Sequence, residues 1–376
     1  MTWRLMAFGL LGAAGLLAQE IPLTSVRVNF PPDSPVTLLS TSMGQSRATP
    51  RGSAVVLDLD MLLTLRNAGH NRIRAVTLRV ISQEVALGGK ASVAVPSLNV
   101  GPGEAFPLHV SLQLMRPGQM MGGPLVQVDL DGVLFQDLSF FGPDRLNSRR
   151  TMTAWEMEAQ RDREYFRRIL SQSGQEGLQR AMLASLARQA ELPALDVRVS
   201  RGRATVSSAA LPADRTEQFA FLDFPNAPIE PVNGWAQISG NEVSAPRISV
   251  RNQSSRPVKY VEIGWLVRDQ SGRTYMAASL PSAESDLYLP PGKTTRVLQD
   301  TALKFTHRGE PVNIRGMTGF VNQVQFADGA VWVPNRQNLQ DARLLGVMAP
   351  SPEEQRLSNL YRTQGINALI ADLRKF

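Results

Sequence analysis

The chain has 376 residues, 43% of them hydrophobic, which suffices for two or three packed domains and excludes an intrinsically disordered chain. It contains no cysteine, which excludes disulfide bonds, cysteine-ligated zinc and a cysteine-linked lipid anchor. The formal net charge of +7 permits attraction to anionic surfaces. The arginines are spread along the chain, however, which argues against a nucleic-acid-binding face.

The first element is an apolar segment typical of an export signal. Arg4 precedes an apolar run from Leu5 to Leu17, and Ala18 is a small residue before polar Gln19. This order of features predicts a signal peptide over residues 1–18, and the run is too short to span a membrane. An uncleaved anchor and a buried N-terminal helix are the alternatives. Together with the lack of cysteine, the segment predicts a bacterial periplasmic or secreted protein with no transmembrane span after signal removal.

Two stretches of the chain repeat one pattern without a gap. LTLRNAGHNRIRAVTLRV, Leu63 to Val80, keeps the apolar register of ISVRNQSSRPVKYVEIGW, Ile248 to Trp265, and both contain Arg-Asn before a turn composition. Alternation on either side predicts strand, turn and strand in each copy. Asn252 of the second copy belongs to an N-glycosylation sequon. Its counterpart Asn67 has no sequon, so a role in the turn is the simpler interpretation for both.

The correspondence continues downstream. LNVGPGE, Leu98 to Glu104, matches LYLPPGK, Leu287 to Lys293, and each is a strand that ends in a Pro-Gly turn. VDLDGVLF, Val128 to Phe135, is aligned with VQFADGAVW, Val324 to Trp332, and Asp-Gly between alternating apolar residues predicts a hairpin in both. Many short strands with such turns predict two β-sandwiches, over residues 19–150 and 193–345.

A helical segment follows each expected sandwich. In residues 151–192 a capping box at Thr153–Glu156 and an interruption at Gly174 predict a helical hairpin. In residues 346–376, Ser351 is the expected N-cap, with proline at the first helical position. The two segments align at Gly177 and Gly365 if a gap is allowed. Their mixed charges favour packing against the adjoining sandwich over binding to a membrane surface.

The repeated pattern resembles a known class of module. Arg-Asn-x-Ser, an alternating strand, D-x-x-G and a later L-x-P-G are similar to bacterial immunoglobulin-like modules of the FxLYD and water-stress (LEA-2) type. The resemblance covers about Arg247 to Trp332 and, more loosely, Leu62 to Phe135. It implies a mainly β protein with two tandem immunoglobulin-like antiparallel β-sandwiches, each followed by an amphipathic helical segment. It also implies roles in envelope or binding contexts, with no catalytic residue to carry over.

The sequence carries few signals of catalysis. It contains no nucleophile elbow, zinc-binding helix or phosphate-binding loop motif, and no cofactor is expected. The histidines, His70, His109 and His307, have no metal-ligand or catalytic partner at helical or hairpin spacing. The enzymatic alternative is a hydrolase whose site is assembled from distant acids, for which the candidates are Asp131, Asp137, Asp269 and Glu284.

Two clusters have side chains that suit a metal ion. Asp129, Asp131 and Asp137 lie in one stretch, and the first two project from the same side of a strand, as a calcium site requires. The expected Asp-Gly turn explains this stretch without a cation, so the prediction is no metal, with calcium as the alternative. A thioether-rich loop suits Cu(I), although methionines also fill cores. Its members are Met115, Met120 and Met121.

The residues that the two copies do not share are the candidates for a binding surface: Arg256, Lys259, Arg273 and Tyr275. Four aromatic residues are candidates for a sugar-binding platform: Trp235, Tyr275, Tyr288 and Trp332. The leading expectation is an exported, non-enzymatic binding or structural module of the bacterial cell envelope, because two similar modules can bridge partners without a catalytic centre. The expected partner is an unidentified envelope protein; the alternative is a carbohydrate or an anionic surface polymer.

Overall fold

The structure, a computed structural model, describes residues 18–84, 88–118, 124–191, 194–201, 215–281, 287–298, 301–335, 344, 348 and 350–376. The described residues form a mainly β protein with two long helices. The chain divides into two compact units, Met1–Arg149 (unit 1) and Arg150–Phe376 (unit 2). Residues 1–17 of the expected signal peptide lie outside the described residues. No helix in the described part of the chain has the length and apolarity needed to cross a membrane.

Unit 1 consists of two five-stranded sheets that contribute to one hydrophobic core. The first sheet contains β1 (Gln19–Glu20), β3 (Val36–Ser42), β4 (Arg47–Arg51), β5 (Ala54–Asn67) and β8 (Ala105–Pro117). The second contains β2 (Val26–Asn29), β6 (Ile73–Ile81), β7 (Lys90–Val95), β9 (Val126–Phe135) and β10 (Phe140–Phe141). A short 3-10 helix, Leu23–Ser25, precedes β2. Every second residue of β5 enters the core because side chains alternate along a strand; these are Leu57, Leu59, Met61, Leu63 and Leu65.

The strands of unit 2 are connected into one sheet of twelve. They are β11 (Ala194–Arg201), β12 (Arg215–Gln218), β13 (Ala220–Leu222), β14 (Ile229–Ser239), β15 (Glu242–Asn252), β16 (Val258–Asp269), β17 (Thr274–Pro281), β18 (Thr294–Leu298), β19 (Thr301–His307), β20 (Glu310–Pro311), β21 (Ile314–Phe326) and β22 (Val331–Trp332). The first of these, β11, pairs in parallel with β17 and antiparallel with β19. It therefore links the strands around β16 to the strands around β15.

The main strand pairings of unit 1 recur in unit 2. In unit 1, β5 pairs with β3 and β8, and in unit 2, β15 pairs with β14, β18 and β19. β6 pairs with β7 and β9, as β16 pairs with β17 and β21. β2 is parallel to β9, as β13 is parallel to β21. In unit 1 the predicted strand, turn and strand therefore cross from one sheet to the other at Asn67, because β5 and β6 belong to different sheets.

Asn67 holds this crossing in unit 1. Its side-chain amide donates to the carbonyl oxygens of Asn71 (2.9 Å) and Val100 (3.1 Å), and its side-chain oxygen accepts from the backbone N–H of Gly69 (3.0 Å). The residue is completely buried. Since a buried amide is costly unless it is paired, these bonds favour asparagine over other residues at this corner.

Asn252 makes the matching bonds in unit 2. Its amide donates to the carbonyl oxygens of Arg256 (2.8 Å) and Leu289 (2.9 Å), and its side-chain oxygen accepts from the backbone N–H of Ser254 (2.9 Å). It is completely buried as well. The structure thus supports a turn role for both asparagines, and the sequon at Asn252 is closed to modification in the folded protein.

The two Pro-Gly turns are confirmed and contact these corners. Gly103 and Gly292 have φ angles of 77° and 70°, a left-handed conformation that favours glycine. The N–H of Gly103 donates to the carbonyl oxygen of Asn67 (2.8 Å), and that of Gly292 donates to the carbonyl oxygen of Asn252 (2.9 Å). The ungapped alignment of these segments therefore agrees with their hydrogen bonds.

The hairpin predicted at Asp131-Gly132 is wrong. Both residues lie inside β9, and the register with β6 shifts at this point, which marks a bulge. The turn comes later, between β9 and β10, where Asp137 accepts from the backbone N–H of Ser139 (3.0 Å) and Leu138 has a φ of 63°. An Asp-Gly pair fits a bulge as well as a turn, because a glycine inside a strand often marks a bulge.

The hairpin predicted at Asp328-Gly329 is confirmed, between β21 and β22. Asp328 accepts from the backbone N–H of Ala330 (3.1 Å), and Gly329 has a φ of 88°. Asp328 is therefore the counterpart of Asp137, not of Asp131. The alignment that matched Asp131 with Asp328 was therefore out of register by the spacing between Asp131 and Asp137.

The helices are α1 (Ser148–Glu191) and α2 (Pro352–Leu373). The capping box predicted at Thr153–Glu156 is wrong, because α1 begins at Ser148 and the box lies within the helix. The N-cap predicted at Ser351 is confirmed, since its hydroxyl accepts from the backbone N–H of Glu354 (3.0 Å) and proline occupies the first turn.

Each helix is kinked at a glycine with a left-handed backbone, Gly174 (φ 63°) in α1 and Gly365 (φ 80°) in α2. The alignment of Gly365 with Gly177 is therefore wrong, and Gly174 is its counterpart. At equal spacings from these glycines, three residues of each helix form one buried cluster. They are Phe166, Leu178 and Met182 of α1 and Leu357, Leu369 and Leu373 of α2.

The first half of α1 covers the face of unit 2 formed by β16, β21 and β22. Arg150 donates to the side chain of Gln325 (2.6 Å) and lies over the ring of Tyr260 (3.9 Å). Arg161 donates to the carbonyl oxygen of Pro334 (2.9 Å), and Ala154 packs with apolar residues at β22. Thus α1 packs against the strands that follow it in sequence.

Candidate binding groove

A groove in unit 1, called here the β9 groove, lies where β2 ends and β10 begins. Both short strands pair with β9, at Val126–Asp129 and at Val133–Leu134, and the part of β9 between these pairings forms the floor. The volume of the groove is about 770 Å³. Its lining includes Asn29, Asp33, Arg79, Asp129, Asp131 and Arg145, with Pro31 and Phe141 at the sides.

Asp131 builds one wall of the β9 groove. Its carboxylate accepts from the backbone N–H groups of Arg145 (3.0 Å) and Leu146 (3.3 Å) and from the hydroxyl of Ser148. Its own carbonyl oxygen lies so close to Gly142 that a Cβ there would be 2.4 Å away, so the approach requires glycine. Asp131 is 1% exposed and fully used by these contacts. Its role is to fix the chain that leads into α1.

Asp129 points into the groove with a different set of partners. It accepts from two neutral amides, Gln127 Nε2 (2.8 Å) and Asn29 Nδ2 (3.5 Å). Arg79 lies opposite Asp129 in the pairing of β6 and β9, but its guanidinium binds Glu84. Asp129 is therefore a half-buried carboxylate that lines the groove next to neutral donors, while Arg79 is neutralised by a second acid.

The three candidate calcium ligands are not brought together. Asp131 is saturated by backbone and hydroxyl donors, and Asp137 lies in the turn after β9. The pKa of Asp137 is lowered by hydrogen bonds from the hydroxyl and the backbone N–H of Ser139, which shows where its charge is stabilised. Within the part of the chain that the structure describes, no group of three metal-ligating side chains occurs. The calcium alternative therefore has no geometric support.

The four candidate residues of a binding surface in unit 2 do not form one surface. Arg256 and Lys259 lie at the start of β16, whereas Arg273 and Tyr275 follow its end. β16 has 12 residues, so its ends are about 40 Å apart at the usual rise per residue of a strand. Arg256 pairs with Asp328, and Arg273 lies over the ring of Tyr275 (5.2 Å). Arg256, Arg273 and Tyr275 thus have local structural roles.

The aromatic candidates also separate. Tyr275 belongs to the core of unit 2, and Trp332 packs against that core. Trp235 is covered on one side by the guanidinium of Arg247 (4.7 Å), while Tyr288 is 70% exposed. A sugar platform requires several exposed rings on one face. Because Tyr275 is buried and Trp332 is partly buried against the core, half of the candidate rings are withdrawn from such a platform.

The remaining acids and methionines contribute no site. Asp269 accepts from the hydroxyl of Ser271 (2.7 Å), the backbone N–H of Arg273 (2.9 Å) and the hydroxyl of Tyr275 (3.2 Å), so it organises the turn after β16. Met115 lies on β8 and is 42% exposed. The other candidates of these two groups lie outside the described residues: Glu284, Met120 and Met121.

One polar pair was missed because it depends on strand register. His109 on β8 contacts the carboxylate of Asp60 on β5 (2.6 Å), and this hydrogen bond is the main reason why the pKa of Asp60 is lowered. Both side chains are largely exposed, at 60% and 43%. An exposed pair of this kind contributes little to stability and lacks a cleft in which to act.

No protein-family model and no curated protein matches the chain. Among solved structures, a Bordetella pertussis protein described as ApaA is 16% identical, covers 38% of this chain and 91% of its own, and gives a TM-score of 0.19. A structure titled pT26-6p is 7% identical over 89% of this chain and 73% of its own, with a TM-score of 0.18. Red sea bream transglutaminase is 8% identical over 77% of this chain and 31% of its own, with a TM-score of 0.13.

Proposed function

We propose that the protein is an exported, non-enzymatic binding module of the bacterial cell envelope. The observation that carries this proposal is that the acidic residues of unit 1 differ in their hydrogen-bond partners. The carboxylates of Asp131 and Asp137 accept hydrogen bonds from backbone and hydroxyl groups, whereas Asp129 lines a groove of about 770 Å³ beside neutral amides. A concave surface with a few oriented polar groups is the usual form of a binding site.

The proposal includes an origin of the two units by tandem duplication of an immunoglobulin-like sandwich. Support comes from the buried Asn67 and Asn252, which make the same hydrogen bonds, and from the Pro-Gly and aspartate turns that recur in the same order. The kinks at Gly174 and Gly365 extend the correspondence to the helices. Two units that share a scaffold and differ in surface residues suit a protein that presents binding surfaces.

The localisation part of the proposal has a direct test. If residues 1–18 are a signal peptide, the exported protein will begin at Gln19, which intact-mass measurement of periplasmic or culture fractions will show. A mass that includes residues 1–18 would support the uncleaved-anchor alternative instead. Recovery in the cytoplasmic fraction alone would contradict export.

The binding part is tested with the chain from Gln19 to Phe376. We expect an affinity pull-down from envelope extract to retain a specific protein, which purified partner then binds saturably and untagged chain competes away. Heat-unfolded chain is the control. If no saturable partner is found, the binding proposal is contradicted. If the chain instead hydrolyses ester or glycoside reporter substrates, the non-enzymatic assignment is wrong.

A further inference from the structure

The positions of the β9 groove have counterparts in unit 2 that strand register identifies. In unit 1, Asp129 pairs with Asn29 on one side and with Arg79 on the other. In unit 2, Phe320 pairs in the same manner with Leu222 and Gly264. The three polar positions of unit 1 are therefore occupied by a leucine, a glycine and a phenylalanine in unit 2.

The flanking positions correspond too. Pro31 and Phe224 each accept a turn-closing hydrogen bond from the third residue after them, at 3.0 Å and 3.1 Å. Phe141 of β10 and Trp332 of β22 occupy equivalent positions opposite Val133 of β9 and Val324 of β21. The β9 groove and this part of unit 2 are thus the same place in two related frameworks.

In unit 2 this place is filled by the protein's own chain. Leu344 and Met348, which follow β22 in sequence, form one buried cluster with Phe224 and Phe320, and Leu222 and Trp332 pack against it. Leu344 is 8% exposed and Met348 is 6% exposed. The framework can therefore accept side chains of a polypeptide segment at this position.

In unit 1 the chain takes another route. After β10, Asp131 binds the backbone of Arg145 and Leu146 and the hydroxyl of Ser148, so the chain turns directly into α1. The groove retains its walls but has no apolar segment of its own chain comparable to Leu344 and Met348 among the described residues of unit 1.

The charges of the groove define what it can receive. Of the three carboxylates that line the groove, Asp131 is bound by backbone and hydroxyl donors, whereas Asp33 is exposed and Asp129 is bound only by neutral amides. Of the two guanidinium groups, that of Arg79 is paired with Glu84 and that of Arg145 is exposed to solvent. Pro31 and Phe141 supply apolar surface at the sides. We propose that the β9 groove binds an extended polypeptide segment of a partner protein, which places a basic side chain at Asp129 and an apolar side chain between Pro31 and Phe141.

This inference rests on the proposed binding function and deepens it. The basic side chain would form a charge-assisted hydrogen bond with a half-buried carboxylate, which is stronger than a bond between neutral groups. The apolar side chain would repeat the contact that Leu344 and Met348 make in unit 2. Selectivity should therefore lie in one basic position and one apolar position of the segment.

The test uses the chain from Gln19 to Phe376 and an octapeptide library in which one position at a time is fixed. We expect enrichment of peptides with an arginine or lysine next to a large apolar residue. The affinity of a selected fluorescent peptide, measured by anisotropy, should fall at least tenfold in Asp129→Asn. The matched control Asp58→Asn removes an exposed carboxylate that binds Gln113 on the other sheet, and it should leave the affinity unchanged.

A charge reversal separates recognition from a structural role. Asp129→Lys should select acidic peptides from the same library, while circular dichroism shows an unchanged fold. Equal enrichment of peptides without a basic residue, or equal loss in Asp58→Asn, would overturn the inference. Asp129-dependent binding of an oligosaccharide in place of peptides would replace the polypeptide with a glycan and overturn it as well.

The outcomes also distinguish this inference from the proposed function. If Asp129→Asn and Asp129→Lys retain the envelope partner with wild-type affinity, the protein is a binding module but the β9 groove is not its site. If wild-type chain binds neither a peptide nor an envelope partner, both proposals fail.

Discussion

The β9 groove of unit 1 and the Phe320 cluster of unit 2 occupy the same place in their frameworks and differ in what fills them. Unit 2 has Gly264 and Phe320 where unit 1 has Arg79 and Asp129, and it packs Leu344 onto the ring. The buried corners at Asn67 and Asn252 keep the same bonds in both units. The same hydrogen bonds therefore hold the corner of each unit, while other positions of the two units differ and form a core cluster in unit 2 and a groove in unit 1.

The largest expected effect comes from breaking what the two units share. Asn252→Ala removes a buried side chain that satisfies two carbonyl oxygens and one N–H group, and we expect a loss of about 3 kcal/mol in the free energy of unfolding. Asn67→Ala should cost a similar amount. All four tryptophans after residue 18 lie in unit 2, so tryptophan fluorescence during urea unfolding follows that unit.

The two variants should therefore be distinguishable. Asn252→Ala will move the fluorescence transition to lower urea, whereas Asn67→Ala will act mainly on the circular dichroism signal. Asn233→Ala, at an exposed position of β14, is the matched control and should change neither. Losses below about 1 kcal/mol in both variants would show that the corners are not held by these side chains.

A smaller effect is expected where the units differ. Gly264 lies against the ring of Phe320, and a Cβ added there would be 2.4 Å from the ring, so Gly264→Ala must displace a packed aromatic side chain. We expect a loss of about 2 kcal/mol in unfolding free energy from overpacking. At Gly316 an added Cβ would meet its nearest neighbour at 3.6 Å, so Gly316→Ala is the control. Equal stability of the two variants would indicate that the Phe320 cluster is loosely packed.

The smallest effect concerns the helix that covers unit 2. Burial raises the pKa of Glu158 to about 7, nearby Asp162 and Glu262 act in the same direction, and Arg161 opposes them. The folded protein therefore holds this proton more tightly than the unfolded chain, whose carboxyl has the ordinary value of 4.5. The resulting stabilisation is present below pH 4.5 and is lost as the pH rises through about 7.

Because Glu158 is only partly buried, we expect this loss to be about 1 kcal/mol. In Glu158→Gln the decline in stability between pH 5 and pH 8 should become smaller by that amount, as urea unfolding at each pH will show. The exposed Glu164 of the same helix offers a control, Glu164→Gln, which should keep the wild-type slope. A wild-type slope in Glu158→Gln would assign the pH dependence to other groups.

Repetition made part of this structure predictable. The turns at Asn67 and Asn252 and the Pro-Gly turns have local sequence patterns that occur in both units, and the Asp328-Gly329 hairpin has a local pattern in unit 2. The cap at Ser351 is local as well. Local signals can be compared between the two units, and a pattern that occurs in both units is a stronger signal than one that occurs once.

Features that depend on distant partners could not be predicted from local patterns. Asp131-Gly132 forms a bulge in which the Asp131 carboxylate binds Arg145 and Ser148, residues that are distant in sequence. These bonds lie at the start of α1, which therefore begins before the expected capping box. Asn29 meets Asp129 through the parallel pairing of β2 with β9, across 100 positions of sequence. Alternation of polar residues on β9, at Gln127, Asp129 and Asp131, was the available signal for a polar face.

The burial of Asn252 has a consequence for how the protein can be produced. Oligosaccharyltransferases of a eukaryotic secretory pathway act on extended chains, and Asn252-Gln253-Ser254 satisfies their sequence requirement before the chain has folded. A glycan attached at that moment would occupy the nitrogen that must donate to Arg256 and Leu289. The choice of expression host therefore decides whether this corner can close, and a bacterial host leaves the amide free to do so.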